Sequence, residues 1–422
     1  MKGERLRVLL AGTPIGWLER EYGTAQPTFN YDAEYARNGT VALSARLPLT
    51  TMTSPSRRVA PYLQGLLPES EATRERWAIR TATSADDPFG MLASMGWDCP
   101  GAVQFCLPGD IDRMVSRQGD HVEVSETDLA RRLRDLRQDP ASWTMPEEHW
   151  SLGGQQEKFA LARIDGRWHE AHGAAATTHI IKPGIRHLQN QALVEHVTMS
   201  AASALGLEVA ESTFVRFEDE WAIVVDRFDR FAMDGGGIGR LHQEDFCQAL
   251  GRLPPAKYEQ RGGPTLGDMV RVIRQESTRQ ESDILALADF LIINVVAGAP
   301  DGHSKNISIL RSAGATWVAP LYDLATGPVY DSRDVDRSVA VSVGGERSVA
   351  RIRQRQWERA ATTLGIPVDP LTARVSQLAR GFPKAFDSAV NSMIAVPGAE
   401  AVLERASKNL TPHCDRILAQ LD

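Results

Sequence analysis

A chain of 422 residues and 46.3 kDa exceeds what one hydrophobic core ordinarily organises, so two or three packed units are expected. An apolar share of 42% and a charged share of 24% exclude collagen-like, disordered and membrane-spanning classes. A formal charge of -7 argues against non-specific nucleic-acid binding as the main task, which leaves any DNA contact to come through a partner.

The chain opens "MKGERLRVLLAGTPIG", whose apolar run is too short for the core of a signal peptide. "RLRVLLA", then Gly12-Thr-Pro, then "GWLERE" reads as a hairpin. Residues 61–96 have helical spacing interrupted by Pro68 and Pro88, which predicts two or three short helices. The polar, turn-rich stretch 106–125 reads as a connection into a second unit. "EKFALARIDGRWHEA" places two alternating runs around Asp165-Gly166, a strong hairpin signal, and "THIIKP" adds a strand ending at Pro183. A helix over 188–206 closes on Gly206, which can take a left-handed cap, and "STFVRFEDEWAIVVDRFDR" gives another hairpin. Beyond a flexible loop at Gly235-Gly-Gly-Ile-Gly the pattern turns mainly helical. The apolar run 284–299 carries Asp289 and Asn294 and is shorter than the ~18 residues of a membrane span, so it reads as a buried helix. Cys99, Cys106, Cys247 and Cys414 form no C-x-x-C pair and no disulfide framework, which suits a reducing cytoplasm.

Chemistry concentrates in three places. "SLGGQQEKFAL" at 151–161 puts Gly153 and Gly154 together, where backbone N–H groups can cradle phosphate oxygens; an ordinary tight turn accounts for the same pair. Lys182, on the strand "THIIKP", can reach phosphates from under that loop or simply face solvent. Glu195, on the following helix, can hold Lys182 in an ion pair as in kinases, or can be a surface charge. "PDGHSKN" then spaces Asp301 from Asn306 as phosphoryl transfer requires: a carboxylate to accept the proton of the attacking hydroxyl, and an amide oxygen for magnesium. Asp301 by itself could equally cap a turn. Gly302 permits the tight loop, Lys305 can neutralise phosphate charge, and His303 reads as a structural hydrogen-bonder. The hairpin "NISIL" to "ATWVAPLYD" returns Asp323 as a second metal-binding carboxylate. Three of only seven lysines, Lys158, Lys182 and Lys305, fall in these stretches.

Ten stretches in order resemble the HipA-type serine/threonine kinases, the toxin half of bacterial toxin–antitoxin pairs. They are "LLPESEATRERWA", "DDPFGMLASMGWDCPGAVQ", "SLGGQQEKFAL", "THIIKP", "ALGLEVAES", "VVDRFDR", "HQEDFCQALG", "KYEQRGGPTL", "DGHSKNISIL" and "PLYDL". The resemblance implies an α+β, two-lobed protein-kinase-like fold preceded by an N-terminal α/β subdomain: 1–125 for the subdomain, 140–240 for the ATP-binding lobe and 241–422 for the helical lobe. It implies ATP and magnesium as cofactors, Asp301 as base, Asn306 and Asp323 as metal ligands, and Lys305 beside the base. Gly153, Gly154, Lys158, Lys182 and Glu195 would form the nucleotide site, with the backbone of Glu244 to Phe246 as its hinge. Ser151 would be the site of self-phosphorylation. The implied partners are a small dimeric DNA-binding antitoxin and a protein substrate of the aminoacyl-tRNA synthetase kind, with no membrane contact. Two other readings compete: a small-molecule phosphotransferase, and a catalytically idle nucleotide-binding corepressor.

Overall fold

The computed structural model describes residues 3–21, 26–234 and 236–421. The chain forms two compact units: Met1–Pro183 with Val215–Pro254 and Ile309–Thr316, and Gly184–Phe214 with Pro255–Ser308 and Trp317–Asp422.

In the first unit the opening hairpin is as expected. Strands Glu4–Leu10 and Thr13–Arg20 pair antiparallel around Ala11 and Gly12, both at positive φ (48° and 81°), the two-residue turn whose twist matches that of the strands. A five-stranded sheet runs Thr53–Ser54, Thr28–Tyr31, Thr13–Arg20, Glu4–Leu10, Val103–Cys106. Its apolar positions, Leu6, Val8, Ile15, Leu18 and Phe29 among them, share one core with Tyr62, Trp77, Phe89 and Met91. Those last four lie on three short helices, Ser56–Gly65, Glu71–Thr81 and Pro88–Met95, separated where Pro68 and Pro88 interrupt the pattern.

A six-stranded sheet follows in the order Ser212–Phe217, Glu220–Asp226, His179–Lys182, Phe159–Ile164, Arg167–Gly173, Gly119–Glu123. The Asp165–Gly166 hairpin turns with both residues at positive φ (50° and 81°). The edge strand corrects the reading of 106–125 as a mere connection, because Gly119–Glu123 pairs in register with His169–Gly173. Four of its five residues are exposed, so no apolar alternation betrays it; backbone pairing alone makes it a strand. Helix Glu126–Gln138 comes next, opened by a reciprocal Ser125–Asp128 capping box, and buries Leu129, Leu133 and Leu136 against Trp150, Phe159 and Ile181.

Of the glycine-rich stretch 235–239, read from sequence as a flexible loop, Ile238 and Gly239 belong to strand Ile238–Arg240, which pairs with Arg230–Ala232; Gly235 lies outside the described residues. Strands His242–Asp245, Ser308–Ser312 and Ala315–Val318 form a further sheet, in that order.

The second unit is mainly helical. Gln191–Ala204 packs against the long helix Val368–Ser392, and Gly206, at φ 81°, follows its C-terminus. The apolar run forms Gln280–Val296, buried along most of its length. Helices Leu266–Glu276, Gln354–Leu364 and Ala399–Ala419 and a hairpin, Ser338–Val343 with Glu346–Ser348, complete it. Among the described residues no helix is long and apolar enough to cross a membrane.

Candidate active site

Within the first unit, the stretch beginning at Ser151 is seated on its own neighbours. Trp97 N donates to His149 O (3.1 Å) and Ser151 N to Asp98 O (3.0 Å), so the segment lies alongside residues 97–98. Ser151 is fully buried, and its hydroxyl donates to Leu66 O at 2.6 Å, at the C-terminal end of helix Ser56–Gly65. Gly154 turns at φ 97° and its carbonyl accepts from Glu69 N (2.8 Å). Lys158 reaches back to Gly153 O (3.0 Å) and lies 4.9 Å from the Trp143 ring centroid. Lys182 ends its strand opposite Ile223 and is 6% exposed; a lysine that deep is held by its surroundings rather than by water. The Glu244 carboxylate is buried, ion-paired with Arg311, and accepts from Ala45 N (2.9 Å). Phe246 is fully buried and begins a short helix capped by Asp245.

The residue alongside this stretch, Asp98, centres a buried charge cluster. Asp98 faces Arg230 at 2.8 Å, Arg240 at 3.0 Å and Arg227 at 3.3 Å, while Asp229 meets Arg227 and Arg230, each at 2.9 Å. Burial pushes the Asp98 carboxyl up, but Arg230, Arg240 and Arg227 together outweigh it and hold the group well below the usual carboxylate range. The only hint in the sequence is the arginine density of "VVDRFDR".

In the second unit, Glu195 sits 1% exposed on Gln191–Ala204 and accepts from Gln191 Nε2 at 3.1 Å. The loop after Gln280–Val296 is a tight, self-bonded turn: His303 N donates to Asp301 O (2.7 Å) and Asn306 N to His303 O (2.8 Å). A Cβ on Gly302 would land on the Asn294 side chain, so only glycine fits there. The Asp301 side chain is 58% exposed, with the Tyr258 hydroxyl 2.5 Å from Oδ1 and His303 Nε2 at 3.5 Å. Asn306 donates Nδ2 to Asp301 O (2.8 Å), which aligns its amide and leaves Oδ1 as the atom suited to a cation. Tyr322 donates to Lys305 O (2.6 Å) and bonds Ser308 Oγ (2.7 Å), fastening the chain to the loop one residue before Asp323. Asp323 is held at φ 57°, a conformation that non-glycine residues seldom adopt and that clusters at functional sites.

Asp301, Lys305 and Asn306 therefore share one loop, with Tyr322 securing the approach to Asp323. Among the described residues no group of three or more His, Cys, Asp or Glu could hold a metal. The Asn306 amide oxygen and the Asp323 carboxylate are oxygen donors of the kind magnesium takes together with substrate phosphates. Tyr258 was not singled out from sequence; its signal was the stretch "KYEQRGG", without evident chemistry of its own.

Residues 150–386 match the HipA-like C-terminal domain family and residues 6–106 the HipA N-terminal domain family. The chain is 34% identical over 342 residues to Y4mE of Sinorhizobium fredii, whose name marks it a candidate kinase, covering 80% of each protein. It is 26% identical over 430 residues to the serine/threonine-protein kinase toxin HipA of Shewanella oneidensis, covering 96% of this chain and 94% of the other. A chain from the solved complex of HipA, HipB and operator DNA of Shewanella oneidensis MR-1 has the same fold, with a TM-score of 0.82, 24% identity and coverage of 98% of this chain and 97% of that one. The mixed α+β fold and the two matching domains agree, and the chain belongs to the HipA family.

Proposed function

We propose that the chain is an ATP-dependent serine/threonine kinase acting as the toxin of a toxin–antitoxin pair in the cytoplasm. The observation that carries this reading is the Asp301–Asn306 loop: an exposed carboxylate engaged on Oδ1 by Tyr258, and an amide turned by its bond to the Asp301 carbonyl. Asp301 accepts the proton of the substrate hydroxyl and orients that hydroxyl for attack. Lys182 contacts the ATP phosphates, Gly153, Gly154 and Lys158 form the loop over them, and the backbone of Glu244 to Phe246 receives the adenine. Lys305 offsets phosphate charge next to the base. Magnesium, when bound, neutralises charge on the phosphates, with Asn306 and Asp323 as its ligands.

Ser151 is the self-phosphorylation site and the off-switch. Its hydroxyl lies on the Leu66 carbonyl at the negative end of a helix dipole, where a dianionic phosphate would be repelled. Phosphorylation therefore excludes the seated loop. The partner is a small, dimeric, HipB-like antitoxin through which DNA is reached, a reading supported by the Shewanella complex. The substrate is a host protein of the aminoacyl-tRNA synthetase class, whose modification arrests translation. Mass spectrometry of wild type and Asp301→Asn after incubation with ATP and magnesium tests the reading: phosphate appears on Ser151 of wild type alone. Equal phosphate on both proteins overturns Asp301 as base.

A further inference from the structure

The stretch "KYEQRGG" has a place in the fold that the kinase reading does not use. It is tied to the catalytic loop: Ser304 N (3.3 Å) and Oγ (2.8 Å) both donate to Lys257 O, and the Tyr258 hydroxyl donates to Asp301 Oδ1 (2.5 Å). Its other side is fixed to the hairpin Ser338–Val343 with Glu346–Ser348. Glu259 accepts from Ser342 N (2.6 Å) and Ser342 Oγ (2.7 Å), and Gln260 accepts from Arg347.

The glycines make this clamp possible. Gly262 adopts φ 80° after the turn Glu259–Arg261, and Gly263 N returns to Tyr258 O at 3.0 Å. A Cβ on Gly263 would run into the Ala256 carbonyl and stand 2.7 Å from that of Tyr258, so the chain closes back on Tyr258 only with glycine there. The Tyr258 ring meets His303 edge-on, with centroids 4.9 Å apart, which fixes the ring as well as the hydroxyl.

We propose that Tyr258 is a positioning residue for phosphoryl transfer. Its O–H holds one oxygen of Asp301 so that the carboxylate presents a fixed face to the substrate hydroxyl, and the Glu259–Ser342 contacts hold Tyr258 in turn. The proposal rests on the reading of Asp301 as base. An exposed aspartate at the tip of a loop otherwise samples several rotamers, and misplacement by about 1 Å can cost a reaction roughly a hundredfold. The hydroxyl acts through the carboxylate it holds, so its loss falls on turnover rather than on ATP binding.

The test uses the full chain with ATP, magnesium and mass spectrometry of Ser151. Tyr258→Phe keeps the ring against His303 and removes only the hydroxyl. The expected result is a fall in kcat on the order of tenfold to a hundredfold, with KM for ATP and the melting temperature unchanged. Under single-turnover conditions, Tyr258→Phe combined with Asp301→Asn is expected to be no slower than Asp301→Asn alone, because the hydroxyl acts only through the carboxylate. A wild-type kcat in Tyr258→Phe, or losses that multiply in the double variant, overturns the proposal and leaves the kinase reading standing. Asp301→Asn as fast as wild type overturns the base assignment and this proposal with it.

Discussion

Asp98 in the first unit and Asp301 in the second are the same side chain in opposite surroundings. Asp98 is 2% exposed and locked by three guanidiniums, the Thr177 hydroxyl at 2.8 Å and the Thr177 N–H at 3.0 Å. Arg230, crowded into the same cluster, is pushed down to about 10, first by burial and then by its neighbour Arg227. Asp301 has a side chain 58% exposed and touches a neutral phenol. The contrast separates a charge that holds structure from one that can do chemistry. A carboxylate saturated by arginines cannot take up a proton near neutral pH, whereas a base must be able to accept one and still stay aimed.

The largest expected effect comes from Asp301→Asn, which should lower kcat by about 10²–10⁴-fold while ATP binding, read by calorimetry, stays near that of wild type. Asp98→Asn should do the reverse. It leaves three buried arginines facing one aspartate, which should cost about 3–5 kcal/mol of stability in denaturant unfolding, with kcat per folded molecule little changed. A stable Asp98→Asn protein would break the contrast.

His242 sharpens the comparison on the acid side. It is buried, its ring N–H donates to Leu43 O at 2.8 Å, and burial pushes its pKa down to about 4. The native state keeps this imidazole neutral while the unfolded chain protonates it near 6.5. The unfolded state then binds more protons, so the contribution is complete above about pH 6.5 and is lost as pH falls toward about 4, up to roughly 3 kcal/mol. His242→Gln, which keeps a donor for Leu43 and cannot titrate, should flatten the stability profile between those values. Smallest is Ser151→Ala: losing the bond to Leu66 O should cost about 1 kcal/mol, seen as a small shift in melting temperature, while abolishing phosphate at that position.

What the sequence determined was local. Turn chemistry at Asp165-Gly166, the interruptions at Pro68 and Pro88, the apolar length of 284–299 and the tight loop after it all act within a few residues, and each appears where its pattern lies. The turn from Asp301 to Asn306 was legible for the same reason, since the two residues bond to each other across five positions. Tertiary structure decided the rest. The strand Gly119–Glu123 exists because Arg167–Gly173 offers it a backbone edge, and its exposed side chains carry no alternating signal. Asp98 finds Arg227 and Arg240 at sequence separations of 129 and 142, and Tyr258 finds Asp301 at a separation of 43. No periodicity encodes such pairings. They arise because a buried charge must be matched, and only the closed chain brings the matching groups within reach.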